Sequence, residues 1–595
     1  MIRRSHGLAL PLLIALTGQG VPAQLAGTPD DAIRVNQVGY LPDAPKVAVV
    51  CALAPRSVEA FEVVNNAGKR VFGPSPAKES GKFGPCAQTY RLDFTKLREP
   101  GAYRVRAAGM ESRVVRIGPG VWNGLADMPL QYMRQQRSGF NPVYNTTVHT
   151  KDGIIVDHPT RAGESIPASG GWADASDYLQ YVTTSATAAF QLLQAYRDNP
   201  QAFGDEYQAD GRPGANGVPD VLDEARHGLR WLQRMFPDDS LMLNQLGDDR
   251  DHMFFDLPPN DSADYGWGKG GARPLYPCTG IAQGLLRYQN RATGYASTAG
   301  KFTAVFALGA QLMRNRERAY ADTLRHKALA AFALGEKYPG ACQTAPGRGA
   351  YFYEEDDWED DMELGAAALY ALTADVRYQA KAMSFAAKAK IKPWMGADTA
   401  NHYQWYPWHN LGHYEAARSG TLNERLALAN YYRDGLRAVA RKADNGFNVG
   451  IPFIWCSNDL MTSLAVTALW YRRMTGDGQY RELEQSAIDW LFGTNPWGVS
   501  MVIGVPADGN FARDPHSVIS VKLKYQLDGG LLDGPVYASI FRNLAGISLT
   551  KADQYAKWNT GHIVYHDDWG DYSTNEPIMD GAANVLYLLS WLGKR

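Results

Sequence analysis

The chain has 595 residues, more than one small hydrophobic core can organise, so its length predicts two or more domains. Hydrophobic residues make up 45% of the sequence, aromatic residues 11% and charged residues 21%, which excludes a disordered chain and an integral membrane protein. A formal net charge of -2 argues against nucleic acid or an anionic membrane as the partner.

The N-terminus carries the pattern of a secretory signal. Two arginines precede an apolar run over residues 8–16, and small residues at 21–23 provide a cleavage position. We therefore expect segment 1–23 to be removed and the mature protein to be secreted or periplasmic. No later apolar run is long enough to cross a bilayer, so no membrane partner is expected.

Residues 31–118 show short β-type segments separated by turn signals, such as Asn-Ala-Gly at 66–68 and Pro-Gly at 100–101. Strands at such regular spacing predict a β-sandwich of immunoglobulin type. The segment has no cluster of acidic, histidine and cysteine residues, so we expect a packing role, with carbohydrate binding as the alternative. In an oxidising compartment Cys51 and Cys86 have two options, a bridge within this domain or no bridge.

After the Gly-Pro-Gly of residues 118–120 the hydrophobic period changes from two to about 3.6 residues, which indicates helices up to the C-terminus. The predicted helices are 122–137, 178–196, 218–236, 295–313, 320–338, 362–373, 377–390, 424–443, 460–475, 480–492, 535–544 and 578–592. Long polar and aromatic loops join them, and such loops usually carry function. Paired helices closing into an (α/α) toroid would gather these loops on one face, and an open solenoid is the competing architecture.

Residues 170–178 read Gly-Gly-Trp-Ala-Asp-Ala-Ser-Asp-Tyr and set two carboxylates, Asp174 and Asp177, three positions apart. The helical run that follows places the pair at a loop-to-helix junction, where free amide protons and the helix dipole would keep both side chains ionised. Trp172 offers a flat face of the kind on which sugar rings stack. Three roles are open for the Asp pair from these residues alone: catalysis, helix capping and calcium binding.

A second polar loop, residues 565–577, leads into the last predicted helix and is rich in Asp, Tyr, Trp and His. Its Glu576 precedes a proline, so it is either a carboxylate at a helix N-terminus or a general acid kept protonated by nearby acids and burial. An inverting glycosidase needs one protonated carboxyl and one carboxylate that holds a water, about 6.5 to 9.5 Å apart. We therefore assign Asp177 as the base, Asp174 as a second acceptor that orients the water, and Glu576 as the acid.

Three segments in this order resemble glycoside hydrolase family 9, the cellulase family. Residues 33–40 look like the start of its N-terminal domain, and residues 170–178 resemble its Gly-Gly-Trp-x-Asp-Ala-Gly-Asp-Tyr motif. Residues 571–576 resemble its Asp-Tyr-x-x-Asn-Glu acid motif. The resemblance covers nearly the whole mature chain. It implies an immunoglobulin-like β-sandwich over 31–118, an all-α (α/α)6 barrel over 119–595, and inverting chemistry that needs no cofactor.

The sequence departs from the family pattern at two places. Ser176 stands where the Asp motif has glycine, and the family's Pro-His-His-Arg motif reads Pro-His-Ser-Val at residues 515–518. We expect His516 to hydrogen-bond a sugar hydroxyl, with Arg513 as the candidate replacement for the missing arginine. Tyr572, inside the acid motif, is a further predicted substrate contact.

Two other stretches carry predicted ligand contacts. The loop at 402–409 is a candidate stacking wall, with Trp405, Trp408 and His409 as substrate-binding residues and core packing as the alternative. Residues 354–361 hold seven acidic residues in eight positions, which would repel one another on a solvated face. A bound cation is therefore one interpretation and plain surface charge the other. The resemblance to the family implies a structural calcium ion at Asp360 and Asp361, which align loosely with its calcium site.

Together these features predict a secreted hydrolase of β-1,4-glucosidic bonds in cellulose-type or xyloglucan-type glucans, endo-acting and monomeric. Exo action on short oligosaccharides is the alternative within the same class. Two alternatives from other classes are a non-catalytic glycan-binding protein, suggested by the altered His motif, and a polysaccharide lyase on a similar toroid.

Overall fold

The computed structural model describes residues 31–251, 255–285, 287–347, 353–391, 394–395, 406–559 and 561–595. The predicted signal segment 1–23 and the predicted stacking residue Trp405 lie outside these ranges. The strands are β1 (Asp31–Arg34), β2 (Val47–Ala52), β3 (Ala60–Asn65), β4 (Arg70–Pro76), β5 (Lys78–Glu79), β6 (Gln88–Asp93), β7 (Gly101–Ala107), β8 (Met110–Glu111), β9 (Val115–Ile117), β10 (Gly139–Asn141), β11 (Thr146–Val148), β12 (Ile154–Ile155), β13 (Gln180–Tyr181), β14 (Leu243–Leu246), β15 (Pro274–Pro277), β16 (Leu531–Leu532), β17 (Val536–Tyr537), β18 (Ile563–Val564) and β19 (Pro577–Ile578). The helices are α1 (Met128–Gln135), α2 (Val182–Asp198), α3 (Asp220–Met235), α4 (Ala296–Met313), α5 (Arg318–Lys337), α6 (Glu359–Thr373), α7 (Val376–Ala389), α8 (Leu411–Ser419), α9 (Leu422–Lys442), α10 (Ser457–Thr475), α11 (Arg481–Leu491), α12 (Val518–Leu523), α13 (Ala538–Asn543), α14 (Tyr572–Asn575) and α15 (Met579–Leu592).

Strands β1 to β9 form two antiparallel sheets, ordered β1-β2-β6-β5 and β4-β3-β7-β8, with β9 beside β7. In β7, Tyr103, Val105 and Ala107 are buried, and the residues between them are half-buried. This period of two is what a sheet with one face on a core requires. Two sheets around one apolar core confirm the predicted immunoglobulin-like sandwich.

Strand β2 is buried on both faces because it lies between two cores. Ala48 and Val50 belong to the core of the sandwich, whereas Val49 and Cys51 belong to the core of the helical domain. Cys51 is bonded to Cys86, so the bridge that the sequence left open is present. The sandwich is therefore packed directly against the helical domain. A second bridge, Cys278–Cys342, lies within the helical domain and was not predicted.

Six helices form a closed inner ring in which each contacts the next: α2, α4, α6, α8, α10 and α15, with α15 returning to α2. These helices are buried on most sides; in α2 every residue from Val182 to Ala195 is buried. A helix covered on all sides lies at the centre of a fold. Gly300 of α4 permits a close crossing, because a Cβ there would lie 2.3 Å from the Asp361 backbone of α6.

Six more helices, α1, α3, α5, α7, α9 and α11, pack outside this ring. They are amphipathic, as in α5, which buries Leu324, Ala328 and Ala331 and exposes its opposite face. The two layers confirm the predicted (α/α)6 barrel. Three helices were missed. Helix α8 shows no amphipathic spacing because its residues are buried on most sides, and α12 and α14 have only six and four residues. Predicted helix 535–544 is only the six-residue α13, outside the ring. In the described ranges, no helix is long and apolar enough to cross a membrane.

Two neighbouring inner helices position the predicted catalytic loops. Asp174 and Asp177 precede β13 and α2, whereas Glu576 precedes β19 and α15. Helix α15 contacts α2, and the main-chain N–H of Met579 donates to the carbonyl of Asp174 at 3.0 Å. Closure of the ring thus brings together loops that are 400 residues apart in the sequence.

Candidate active site

Asp174 is held by donors on both of its oxygens. The Thr184 hydroxyl donates to Oδ1 at 2.5 Å, and the Tyr353 hydroxyl donates to Oδ2 at 3.0 Å. Burial raises the pKa of Asp174 well above its ordinary value, and the nearby Asp580 carboxyl raises it further. The Thr184 and Tyr353 hydroxyls lower this pKa, but burial outweighs them.

Asp177 is half-buried, and its Oδ1 accepts a hydrogen bond from the main-chain N–H of Leu179 at 3.0 Å, as in an Asx turn. Helix α2 begins at Val182, and its N-cap residue is Tyr181, which makes no side-chain cap. Helix capping is therefore excluded as the role of the Asp pair. The loop before the pair needs its glycines, because Gly171 has a φ of 75° and a Cβ there would meet the ring of Trp231.

Glu576 faces the Asp motif. Its Oε1 accepts hydrogen bonds from the main-chain N–H of Ser176, at 2.9 Å, and from the Ser176 hydroxyl. Burial raises the pKa of Glu576, the His516 imidazole lowers it and the Asp177 carboxylate raises it, and the net shift is upward. Helix α15 is capped at Ile578, so Glu576 does not cap it. A raised pKa is what keeps a carboxyl protonated for acid catalysis.

Three further carboxyls lie buried around Glu576 and Asp174. Asp459 on α10 is 2% exposed, Asp533 after β16 is 3% exposed and Asp580 on α15 is 5% exposed. Burial raises the pKa of each of them, to about 6 for Asp580. The main-chain N–H of Asp533 donates to the carbonyl of Glu576 at 2.8 Å. A group of carboxyls with shifted pKa values at the mouth of a barrel marks a functional site.

His516 and Tyr572 lie beside Glu576. The main-chain N–H of His516 donates to the carbonyl of Asn575 at 2.9 Å, and its Nδ1 lies 2.5 Å from the Trp569 carbonyl. The rings of His516 and Tyr572 are 6.0 Å apart, and both residues are half-buried. The guanidinium of Arg513, the candidate replacement for the missing arginine, lies over the Phe511 ring at 3.8 Å.

Aromatic rings extend from His516 in two directions. Phe255 stacks on Trp569 with centroids 5.7 Å apart and an interplanar angle of 19°, and it lies 5.2 Å from His516. On the other side Trp455 stacks on Tyr572 at 5.7 Å. We call Phe255, Trp569, His516, Tyr572 and Trp455 the aromatic row. Sequence reasoning missed Phe255, Trp455 and Trp569, because no local pattern connects rings so far apart in the chain.

A pocket opens at Asp177. Residues from several loops and α12 line it, among them Gln136, Ser138, His149, Pro258 and Ile519. Polar groups interleaved with apolar faces suit a sugar, which has hydroxyls around its edge and C–H groups on its faces.

Trp172 does not line this pocket. It is 0% exposed, and its indole N–H donates to Oε1 of Glu224 at 2.8 Å. Gly228 of α3 makes room for the ring, since a Cβ there would lie 2.2 Å from it. The prediction that Trp172 stacks on sugar is therefore wrong: the residue anchors the Asp motif to α3.

Trp408 and His409 are also core residues, each 2% exposed. His409 stacks on Trp470 with centroids 5.5 Å apart, and its Nε2 lies 3.0 Å from Nε2 of Gln191. Burial lowers the pKa of His409 to about 3, which keeps the ring neutral. The predicted stacking wall is wrong for these two residues, and its third member, Trp405, lies outside the described residues.

Asp360 and Asp361 lie at the start of α6, beside a buried ammonium group. The Lys301 Nζ lies 2.6 Å from Oδ2 of Asp361 and 2.8 Å from Oε2 of Glu355, and these three side chains are at most 3% exposed. The described residues contain no group of three or more His, Cys, Asp or Glu that could hold a metal ion. Lys301 places a positive charge between Asp361 and Glu355, so these three side chains form a buried ion-pair cluster. Calcium binding at Asp360 and Asp361 stays a prediction.

Sequence reasoning also missed Thr184 and Tyr353, which hold Asp174. A signal for Thr184 was present, because the first two turns of α2, just after the Asp motif, carry a run of hydroxyl side chains: Thr183, Thr184, Ser185 and Thr187. Tyr353 gave no such signal, since it lies 179 residues from its partner.

The sequence model of the family described as Glycosyl hydrolase family 9 matches residues 122–589, and that of the Cellulase N-terminal ig-like domain matches residues 28–112. Endoglucanase C of Cellulomonas fimi is 28% identical over 94% of this chain, which spans only 52% of that relative. The Cellodextrinase of Butyrivibrio fibrisolvens is 25% identical, with 81% of this chain and 86% of the relative covered. The Xyloglucan-specific endo-beta-1,4-glucanase of Bacteroides ovatus is 25% identical, with 85% and 86% covered.

Among solved structures, a metagenome-derived glycoside hydrolase family 9 endoglucanase superimposes with a TM-score of 0.72 at 26% identity. The alignment covers 95% of this chain and 99% of that one. The family match extends over most of the chain, and the barrel brings the Asp motif and the acid motif together. This chain therefore belongs to glycosyl hydrolase family 9.

Proposed function

We propose that this protein is a secreted or periplasmic enzyme that cleaves β-1,4-glucosidic bonds in cellulose-type or xyloglucan-type glucans with inversion at the anomeric carbon. The observation that carries the proposal is the pair of hydrogen bonds from Ser176 to Glu576, which sets a carboxyl of raised pKa beside Asp177. An inverting glycosidase requires two carboxyls in different protonation states. The enzyme acts as a monomer, and no cofactor enters the reaction.

Hydrolysis proceeds in one displacement. Glu576 gives its proton to the glycosidic oxygen as the bond between that oxygen and C1 breaks. A water on the opposite face of the sugar forms the new bond to C1, and Asp177 takes one of its protons. The leaving sugar gains a free hydroxyl, and the other product has the inverted anomeric configuration. Proton exchange with solvent then returns Glu576 to its acid form and Asp177 to its carboxylate form.

Asp174 orients the attacking water. Thr184 and Tyr353 hold its two oxygens, so the carboxyl group has a fixed direction. We assign the base role to Asp177 because it is the less buried of the two and lies at the pocket, with its Oδ1 accepting the Leu179 main-chain N–H. Asp174 then acts as a neighbour that accepts from or donates to the same water.

Endo action on polymeric glucan is our first choice of cleavage mode. Two of the relatives are named as endoglucanases, one of them as xyloglucan-specific, and they cover most of this chain. The half-buried rings of Phe255, His516 and Tyr572 follow one another along the aromatic row, and we expect such a row to contact more than one sugar of a polymer.

Exo action on short oligosaccharides is the second candidate, and the segment around Phe255 favours it. Phe255 stacks on Trp569, and Pro258 from the same segment lines the pocket at Asp177. A cleft covered on one side of the cut would be reached from a chain end, and one relative is named as a cellodextrinase. Product analysis separates the two modes: rapid loss of viscosity of a soluble glucan indicates endo action, and early release of only glucose or cellobiose indicates exo action.

Substitution Glu576→Gln tests the function, because it keeps the shape of the side chain and removes the acidic proton. We expect hydrolysis of cellotetraose to fall by about 100- to 10,000-fold, with cellotetraose binding in calorimetry retained. Proton NMR of the first product should show the α-anomer. A variant as active as the parent contradicts the assignment, and a β-anomer contradicts inversion. Binding without any product from the parent indicates a glycan-binding protein, and products with new ultraviolet absorption indicate a lyase.

A further inference from the structure

Ser176 gives this chain a side chain at a position where the family motif has glycine. Its φ lies outside the left-handed region, so the main chain accepts a Cβ there without strain. The hydroxyl reaches Oε1 of Glu576, the same oxygen that accepts the Ser176 main-chain N–H at 2.9 Å. A glycine could supply the N–H but not the hydroxyl.

Two donors on one oxygen distinguish the two oxygens of Glu576. A protonated carboxyl has one oxygen that only accepts hydrogen bonds and one that carries the proton and donates it. A proton on Oε1 would face the Ser176 N–H, which has no acceptor capacity. Oε1 is therefore the accepting oxygen, and Oε2 carries the proton.

We propose that Ser176 is a positioning residue for acid catalysis: its hydroxyl and N–H hold Oε1 of Glu576 as the accepting oxygen and so keep the acidic proton on Oε2. This inference rests on the proposed function, in which that proton passes to the glycosidic oxygen as the C1–O bond breaks. Ser176 itself exchanges no proton with the substrate.

The titratable groups around Glu576 allow the positioning role of Ser176 to be tested by the pH dependence of kcat/KM. Four titratable groups face Glu576 from separate elements: His516, Asp177, Asp533 and Tyr132. Burial raises the pKa of Glu576 most strongly, and the two hydrogen bonds from Ser176 lower it because they favour the carboxylate. Loss of the hydroxyl should therefore raise the pKa of Glu576. The alkaline limb of kcat/KM, where the acid loses its proton, should then move to higher pH.

The test compares Ser176→Ala and Ser176→Gly, which remove the hydroxyl, with Ser176→Thr, which keeps it. Each variant is assayed on cellotetraose and on 2,4-dinitrophenyl β-cellobioside, whose leaving group needs little protonation. We expect the first two variants to lose about tenfold in kcat on cellotetraose. For these two variants the alkaline limb of kcat/KM should move to higher pH by about 0.5 to 1 pH unit. Activity on the aryl glycoside should stay within about twofold of the parent, and Ser176→Thr should restore both the rate and the limb.

Two results overturn the positioning role. One is an unchanged kcat on cellotetraose with an unchanged alkaline limb in Ser176→Ala, and the other is an equal loss on both substrates, which would indicate a structural role. Ser176→Gly carries the residue of the family motif and covers the case in which Ser176→Ala does not fold. Glu576→Gln separates this inference from the proposed function. If that variant stays active, both fail; if it is inactive while Ser176→Ala is unchanged, only the positioning role fails.

Discussion

The Tyr353 hydroxyl donates a hydrogen bond to Oδ2 of Asp174 across 3.0 Å, although the two residues are 179 positions apart in the sequence. Tyr353 approaches from the segment that leads into α6, and Thr184 approaches from α2, so two inner helices of the barrel fix one carboxyl group. The direction of Asp174 is thus set by the closure of the ring and not by its own loop alone.

Removal of this hydroxyl should slow the reaction. For Tyr353→Phe we expect kcat on cellotetraose to fall by about tenfold with KM changed less than about twofold, because Asp174 acts on the water and not on the sugar. Tyr414→Phe is the matched control, since its ring is buried against Trp470 at 4.9 Å on α8, away from the Asp motif. A change confined to KM, or an equal loss in the control, would speak against the role of Tyr353.

Much of the fold could be predicted from the sequence because each domain repeats one hydrophobic period. The sandwich strands keep a period of two, and the outer helices keep a period near 3.6 with a polar face. Helix α8 was missed because an inner helix is covered on most sides, and burial on all sides erases the amphipathic signal.

The site was readable only in part. The Asp motif and Glu576 could be recognised from local sequence. The burial of a single tryptophan cannot be predicted in this way, because Trp172 follows two glycines in a loop and yet fills a space left by Gly228. The ion-pair cluster was missed for a similar reason, since the acidic run shows its own charge and not the cation on another helix. Lys301 was a usable signal, because a lone lysine inside the apolar run of α4 needs an acidic partner.

Lys301 should be a large contributor to stability. Lys301→Met leaves Glu355 and Asp361 buried without their cation, so we expect the free energy of unfolding to fall by about 3 to 5 kcal/mol. Lys381→Met is the matched control, because Lys381 pairs with Glu336 at a surface where the two side chains are 39% and 38% exposed. The control should cost at most about 1 kcal/mol in urea unfolding. Equal losses in the two variants would contradict the buried ion-pair cluster.

The same cluster predicts how the protein responds to chelator. Because Lys301 already pairs with both Asp361 and Glu355, we expect EDTA to leave the thermal unfolding midpoint unchanged and added calcium not to raise it. Calorimetry with and without each addition measures this. A rise in the midpoint with calcium that disappears in Asp360→Asn would restore the metal site.

A buried carboxyl at the interface between the two domains, Asp489, should make the free energy of unfolding depend on pH. Asp489 of α11 accepts hydrogen bonds from Asn36 at 2.9 Å and from Gln485 at 2.8 Å, and burial raises its pKa to about 7. An unfolded chain releases this proton near its ordinary pKa of 3.8, whereas the folded protein keeps it up to about 7. Asp489 therefore lowers stability progressively as pH rises from about 4 to about 7.

Substitution Asp489→Asn removes that titration and keeps an oxygen for the two donors. We expect the unfolding midpoint of the variant, relative to the parent, to rise between pH 4 and pH 7 and to level off above it. Asp508→Asn is the control at the same interface, because Asp508 pairs with Arg116 on the surface and is 66% exposed. A difference between Asp489→Asn and the parent that stays constant over this range would contradict the raised pKa.

Phe255 of the aromatic row should bind sugar without taking part in the chemistry. Phe255 stacks on Trp569 and lies 5.2 Å from His516, but none of the carboxyl contacts of Asp174, Asp177 or Glu576 in the described residues involves it. For Phe255→Ala we therefore expect KM for cellotetraose to rise by about tenfold while kcat changes less than about twofold.

Trp267→Ala is the matched control for this prediction. Trp267 lies in the loop between β14 and β15 that also carries Phe255, but it stacks on Tyr265 and is 39% exposed. The control should leave both constants unchanged. The variant Phe255→Ala also reports on cleavage mode: if the Phe255 segment covers one side of the cut, its truncation should raise the share of internal cuts in a soluble glucan. An unchanged KM in Phe255→Ala would remove Phe255 from the sugar-binding surface, and a fall in kcat alone would place its effect on the geometry of His516 and Glu576.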